Sequence, residues 1–156
     1  MSIKKLHGLP ASFTDQKSIF TYQHFEALLA ALQQRALPAD FVAFVNERVD
    51  AINSSTLTGA PLRKLIIQQR ALILKKAEKE LQLVPQSHYR NRWSLFGFTA
   101  FGLPIGTALG IAMDNIGLLG LGLPFGIAIG FTVGAILDKK AERQGRQLNI
   151  HDQVIL

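Results

Sequence analysis

Cysteine is absent from the 156 residues of this chain. Its absence excludes disulfide bonds, thiolate nucleophiles and cysteine-based metal sites, and it agrees with a location facing the cytosol. The start of the sequence also lacks the apolar run that follows the basic residues of a secretory signal, because Lys4 and Lys5 lead into a mixed segment. We therefore expect no cleaved signal peptide.

Catalytic and metal-binding constellations are missing as well. His7, His24, His88 and His151 lie far apart in the sequence, and none has a second metal-type ligand at a useful spacing. The acidic residues form no recognisable acid/base pair, and the glycines lack the Gly-Lys-Ser/Thr ending of a phosphate-binding loop. We predict that the protein is not an enzyme and has no catalytic, cofactor-binding or metal-binding residues.

Charge is nearly absent from residues 94–137, which contain only Asp114. Two apolar stretches, Trp93–Met113 and Ile116–Leu137, each have about the 20 residues that a helix needs to cross a bilayer. Asp114 and Asn115 between them favour a turn. The pattern predicts a transmembrane helical hairpin over residues 93–137. Within it, Asp114 is either an ion contact inside the hydrocarbon or, as we prefer, a solvated loop residue.

Basic residues flank the hairpin and are missing from its turn. By the positive-inside rule, both termini are expected in the cytoplasm of a multi-pass protein of the cell inner (plasma) membrane. The flanking basic residues are His88, Arg90 and Arg92 before the first span, and Lys139, Lys140, Arg143 and Arg146 after the second.

Glycine, in contrast, is abundant in the hairpin and recurs at every fourth position. The segment Gly-Leu-Pro-Ile-Gly-Thr-Ala-Leu-Gly at 102–110 is repeated as Gly-Leu-Pro-Phe-Gly-Ile-Ala-Ile-Gly at 122–130. Such ridges let helix backbones approach closely in lipid. The predicted helix-packing residues are Gly102, Gly106, Gly110, Gly122, Gly126, Gly130 and Gly134.

The glycine ridges have two interpretations. They could close the two helices of one hairpin on each other, or they could join several copies. We favour a homo-oligomer, because two ridges exceed what one intramolecular contact requires and each glycine costs about 1 kcal/mol in a helix relative to alanine. Pro104 and Pro124 occupy matching positions in the repeat and are predicted kinks, which shape either a pore or a tighter packing.

Residues 97–134 resemble the glycine-zipper membrane segments, with GxxxGxxxG ladders in paired apolar helices, that occur in many small bacterial proteins. The secreted lipoprotein members of that group carry a signal peptide and a lipidated cysteine, which this sequence lacks. The resemblance implies self-packing and no particular activity.

The rest of the chain reads as helical, so the predicted fold is all-α, with a cytoplasmic three-helix region before the hairpin. Apolar periodicity predicts helices at about Asp15–Arg35, Pro38–Asn53 and Pro61–Val84. The predicted organisation is a tail over 1–14, a basic helical domain over 15–84, a juxtamembrane linker over 85–92, the hairpin over 93–137 and a basic, polar cytoplasmic tail over 138–156.

The net charge of +6 lies entirely in residues 1–92, which hold thirteen basic and seven acidic residues, whereas the remainder holds four of each. Anionic membrane lipids are the expected counter-charge. Nucleic acid is not favoured, because the basic third helix lacks interleaved aromatic residues. The predicted head-group contacts are Arg63, Lys64, Arg70, Lys75, Lys76, Lys79, Arg90, Arg92, Lys139 and Lys140.

Two functions follow from these features. The leading hypothesis is a homo-oligomeric membrane protein packed through its glycine ridges, which forms a pore or channel gated by the cytoplasmic helical domain. The alternative is a non-conducting anchor or scaffold that presents the helical domain to a cytoplasmic protein partner.

Overall fold

The computed structural model describes residues 2–8 and 13–151. The chain divides into two compact units, Met1–Leu83 and Val84–Leu156. Parts of the two predicted tails, namely residues 1, 9–12 and 152–156, lie outside the described residues.

Three helices form the first unit: α1 (Gln16–Gln33), α2 (Ala39–Asn53) and α3 (Gly59–Lys76). A π-helical turn, Ala77–Leu81, extends α3. Helix α3 begins two residues before the predicted start at Pro61. Proline is tolerated there because the N–H groups of the first helical turn have no partner within the helix.

The core of the first unit consists of apolar side chains at helical spacing. Helix α3 packs against both α1 and α2. The apolar side chains that are buried almost completely are Phe25, Leu28 and Leu32 of α1, Phe41, Val45 and Val49 of α2, and Ile66 and Ile73 of α3. These positions follow the apolar periodicity that predicted the helices.

Helix α1 begins at a capped N-terminus. The Asp15 carboxylate accepts a hydrogen bond from the backbone N–H of Ser18 at 2.9 Å. Hydrogen bonding from Ser18 lowers the pKa of Asp15 below its usual value, because it stabilises the charged form. The sequence prediction of a helix start near this residue agrees with the cap.

Tyr22 of α1 is expected to make the first unit sensitive to high pH. Its hydroxyl donates to the backbone carbonyl of His7, and burial, with a contribution from Glu26, raises its pKa from 10.0 to about 12. The folded state thus favours the neutral phenol. Its contribution to stability is complete below pH 10 and is lost as the pH rises towards 12.

The difference in unfolding free energy between the natural chain and Tyr22→Phe, measured by circular dichroism from pH 8 to 12, should shrink over that upper range. Tyr89→Phe serves as the matched control. A difference in unfolding free energy that stays constant from pH 8 to 12 would contradict the raised pKa of Tyr22.

The second unit contains the two long apolar helices. The first runs through α4 (His88–Gly97), a π-helical turn (Phe98–Gly102) and α5 (Leu103–Ala112). After a turn and a short 3-10 helix, Ile116–Leu118, the second is α6 (Leu119–Arg143). Both are long and apolar enough to cross a membrane: the most apolar 18-residue stretch has a mean hydropathy of 1.6 within His88–Ala112 and of 2.0 within Ile116–Arg143.

A two-stranded parallel sheet lies at the ends of this hairpin. Strand β1 (Val84–Gln86) pairs with β2 (Gln147–His151), with Val84 opposite Gln147 and Pro85 opposite Leu148. The sequence analysis assigned Val84 to the end of the third helix, residues 85 and 86 to a linker and residues 147–151 to a polar tail, and it predicted no strand. Three residues that include a proline give too short a pattern to indicate one. The sheet joins the two ends of the hairpin on one side.

Candidate membrane-spanning hairpin

In the hairpin the glycines are buried and the large apolar side chains are exposed, whereas a soluble domain buries its large apolar side chains. Between residues 88 and 140, every buried residue is a glycine. The buried positions are Gly97, Gly102, Gly106, Gly110, Gly122, Gly126, Gly130 and Gly134. At the glycine positions, the two helices therefore contact each other mainly through their backbones.

Large apolar side chains cover the outside of the hairpin. Of the 17 large apolar residues that are exposed in the described part of the chain, 14 lie between Leu95 and Ile136. In the most apolar 18-residue stretch of each helix, only 22% of the residues of the first and 17% of those of the second are buried. A core helix of a soluble protein would be mostly buried, whereas these two helices expose a large apolar surface, of the kind that marks contact with a membrane or with other protein.

The two glycine ridges lie directly against each other. A Cβ atom added to Gly122 would lie less than 3.0 Å from backbone atoms of both Gly102 and Gly106, and one added to Gly126 would do the same at Gly97 and Gly102. Real Cβ contacts are not this short. Each ridge thus supplies the space that the other helix occupies.

The backbone contact continues towards the ends of the hairpin. A Cβ atom added to Gly130 would overlap the backbone of Trp93, and one added to Gly134 would overlap the backbone of Arg90. At the other end, Gly106 faces the backbone of Leu119. All seven glycines named from the sequence are buried within one hairpin. The main argument for a homo-oligomer, that two ridges exceed one intramolecular contact, therefore does not hold.

Gly97 joins the contact although the sequence analysis did not select it. It precedes Gly102 by five residues instead of four, so it falls outside the regular spacing. The π-helical turn Phe98–Gly102 adds the extra residue, and the Leu103 N–H accordingly bonds to the Phe98 carbonyl five residues back. The turn keeps Gly97 on the ridge, facing Gly126 and Gly130.

The two prolines of the repeat occupy different local structures. Pro104 is the second residue of α5 and follows the π-helical turn, whereas Pro124 lies inside α6. The matched sequence positions are thus not matched structurally. Both proline side chains are exposed.

The turn of the hairpin carries Asp114 and Asn115. Asp114 is exposed and has a positive φ of 46°, a conformation that aspartate and asparagine tolerate better than most residues. The Asn115 side chain accepts a hydrogen bond from the Gly117 N–H at 3.0 Å. The exposed position of Asp114 at the turn fits its interpretation as a solvated loop residue. Over the described residues, no cluster of three or more His, Asp or Glu side chains could hold a metal ion.

Asp138 of α6 caps the start of the first apolar helix. Its two carboxylate oxygens accept hydrogen bonds from the backbone N–H groups of Tyr89 and Arg90, each at 3.0 Å. Ser87, at the N-cap position of α4, makes no capping hydrogen bond with its side chain. The negative charge of a carboxylate at a helix N-terminus also interacts favourably with the positive end of the helix dipole. Asp138 thus joins the C-terminal part of α6 to the start of α4, which is the base of the hairpin.

The predicted head-group residues fall into two groups. Arg70 is buried, with 6% of its surface exposed, and so is unsuited to contact lipid. Arg63 lies 3.5 Å from the Asp15 carboxylate, Lys76 lies 2.7 Å from Glu80, and Arg90 lies over the Phe131 ring at 5.2 Å. The predicted head-group residues that are exposed are Lys64, Lys75, Lys79, Arg92, Lys139 and Lys140.

Comparison with the models of known protein families, with curated proteins and with solved structures finds no match to this chain.

Proposed function

We propose that this protein is a non-conducting membrane anchor, whose hairpin holds the first unit at the membrane surface for a cytoplasmic protein partner. The observation that carries the proposal is the mutual burial of the glycine ridges within one hairpin. A hairpin that closes on its own backbone and exposes large apolar side chains on its outer surface has what an anchor needs.

A pore is less well supported by the same features. The segment from 94 to 137 has one ionisable residue, Asp114, and this residue lies exposed at the turn. A conducting pathway needs polar or charged groups along its lining. The glycines that were to join several copies are already covered within the chain. We therefore propose the anchor in place of the gated channel.

We further propose that both termini face the cytoplasm of the inner membrane. The exposed basic residues Arg92, Lys139 and Lys140 flank the hairpin, and the turn at Asp114 has no basic residue. Anionic head groups are the proposed partners of these side chains, together with those of Lys64, Lys75 and Lys79.

Flotation with liposomes tests the anchor. The full chain should remain with the vesicles after an alkaline wash, and vesicles loaded with a potassium-sensitive dye should show no flux. The double variant Phe125→Asp and Ile129→Asp should leave the vesicles, because it places two charges on the exposed apolar surface of α6. Thr56→Asp, at an exposed loop position, is not expected to change flotation.

Either of two results would overturn the proposal. Recovery of the natural chain as a folded protein in buffer without detergent would exclude the anchor. Potassium flux that depends on the protein would support the channel instead.

A further inference from the structure

Residues 2–8, named here segment 2–8, lie along α1 and α2 without joining a helix or a strand. Side chains of the two helices hold this segment through its backbone. Six of its backbone groups accept or donate such hydrogen bonds: the N–H groups of Lys4 and His7 and the carbonyl groups of Ser2, Ile3, Lys5 and His7.

Two asparagines of α2 make matching two-point contacts. The side-chain amide of Asn46 accepts from the N–H of Lys4 at 2.7 Å and donates to the carbonyl of Ser2 at 3.1 Å. Asn53 does the same with His7 at 2.9 Å and Lys5 at 3.1 Å. Each amide thus bonds the N–H of one residue and the carbonyl two residues earlier, which is the pair that a parallel strand would bond.

Asn46 and Asn53 lie seven residues apart, so they stand on the same face of α2, two turns from each other. Across from them, Gln33 of α1 donates to the carbonyl of Ile3 at 3.2 Å, and Tyr22 donates to that of His7. These four side chains therefore bind the backbone of an extended segment, and selectivity between segments comes from separate side-chain contacts.

Side-chain recognition rests on a few positions of the segment. Ile3 is buried, with 6% of its surface exposed, and Leu6 is half-buried. The Lys4 ammonium group contacts the Asp50 carboxylate at 2.6 Å, in a pair that is exposed on both sides. The pattern that fits is an apolar residue, a lysine, any residue and a second apolar residue.

Segment 2–8 leaves part of its groove unfilled. A cleft of about 280 Å³ lies beside Lys4, Lys5 and Leu6 along α1. A second cleft of about 150 Å³ borders Leu6, His7 and Gly8. Larger side chains than those of the segment would fit at these positions.

We propose that this groove is a binding site for an extended segment of the protein partner, and that segment 2–8 occupies the site as an internal competitor. This proposal rests on the proposed anchor function, because the partner segment belongs to the cytoplasmic protein that the anchored first unit would bind. The partner segment carries the pattern apolar–Lys–any–apolar and binds mainly through its backbone.

The test measures binding of a fluorescent peptide, Ser-Ile-Lys-Lys-Leu-His-Gly, to the full chain in detergent and to a variant that lacks residues 2–8. The variant should bind the peptide at least about tenfold more tightly than the full chain, because a tethered segment competes at an effective concentration in the millimolar range. Asn46→Ala with Asn53→Ala in the variant should weaken binding by at least about tenfold, whereas Asn149→Ala, outside the first unit, should not.

A peptide with aspartate in place of both apolar residues is the probe control and should not bind. A second variant, Ile3→Asp in the full chain, loosens the segment without removing it and should also bind the natural peptide. The proposal is overturned if neither variant binds, if binding survives the two asparagine substitutions, or if both variants lose their helical circular dichroism. The last result would make segment 2–8 a permanent part of the core.

Failure of this proposal is distinguishable from failure of the anchor. Peptide binding is measured in detergent and is independent of flotation or flux. A chain that floats with vesicles and binds no peptide remains an anchor with a different partner site. A chain that binds the peptide and conducts potassium keeps the groove and loses the anchor function.

Discussion

Gly126→Ala is expected to destabilise the hairpin by about 1–3 kcal/mol, the usual cost of adding a group to a filled contact. The new methyl group would lie within 2.5 Å of backbone atoms of Gly97 and Gly102, which cannot rotate away as a flexible side chain can. Alanine is the better helix former by about 1 kcal/mol, so a loss of stability would come from the contact between helices and not from the helix itself.

The matched control is Gly120→Ala in the same helix. A Cβ atom at Gly120 would meet nothing within 4 Å, so this variant should be as stable as the natural chain or slightly more stable. Thermal unfolding in detergent, followed by circular dichroism, compares the two. Equal midpoints for both alanine variants would refute the close packing of the ridges.

Asp138→Ala is expected to cost about 1–3 kcal/mol, because it leaves the N–H groups of Tyr89 and Arg90 without their acceptors at a partly buried helix start. Asp138→Asn should cost less, since the amide oxygen can still accept one of the two hydrogen bonds. The expected structural consequence is fraying of the first turns of α4 and a looser hairpin base.

The distance between two spin labels, one on each helix, measures this change. Labels attach only at introduced cysteines, because the natural chain has none. Arg92→Cys and Lys140→Cys place labels at exposed positions on the two helices. The distribution of label distances should broaden with Asp138→Ala and stay narrow with Glu142→Ala, which removes an exposed carboxylate one turn further along. A distribution unchanged by Asp138→Ala would argue against the cap.

The existence of the two apolar helices could be predicted from sequence because it depends on composition alone. Two apolar runs of about 20 residues, with charge confined to the turn between them, have the length and composition of membrane-crossing helices. The three helices of the first unit were predictable for a similar reason, since their apolar residues repeat with the helical period. The helix bounds differ from the predicted ones by a few residues.

What covers the glycine ridges could not be predicted, because spacing identifies a small-residue surface without identifying its neighbour. Gly97 was missed because the π-helical turn changes the spacing to five. The cap by Asp138 was missed because it joins residues 48 and 49 positions apart, with no local pattern at either end. The asparagine contacts of segment 2–8 also join residues 42 to 48 positions apart.

The molar mass of the purified chain in detergent tests the central claim most directly. Light scattering, after subtraction of the bound detergent, should give one chain of 17.2 kDa for the natural protein, and the same value for Gly120→Ala. The glycine ridges would then be satisfied within each hairpin, as the contacts at Gly122 and Gly126 indicate. A stable multiple of that mass, lost in Gly126→Ala, would show that the ridges join separate copies and would contradict the account.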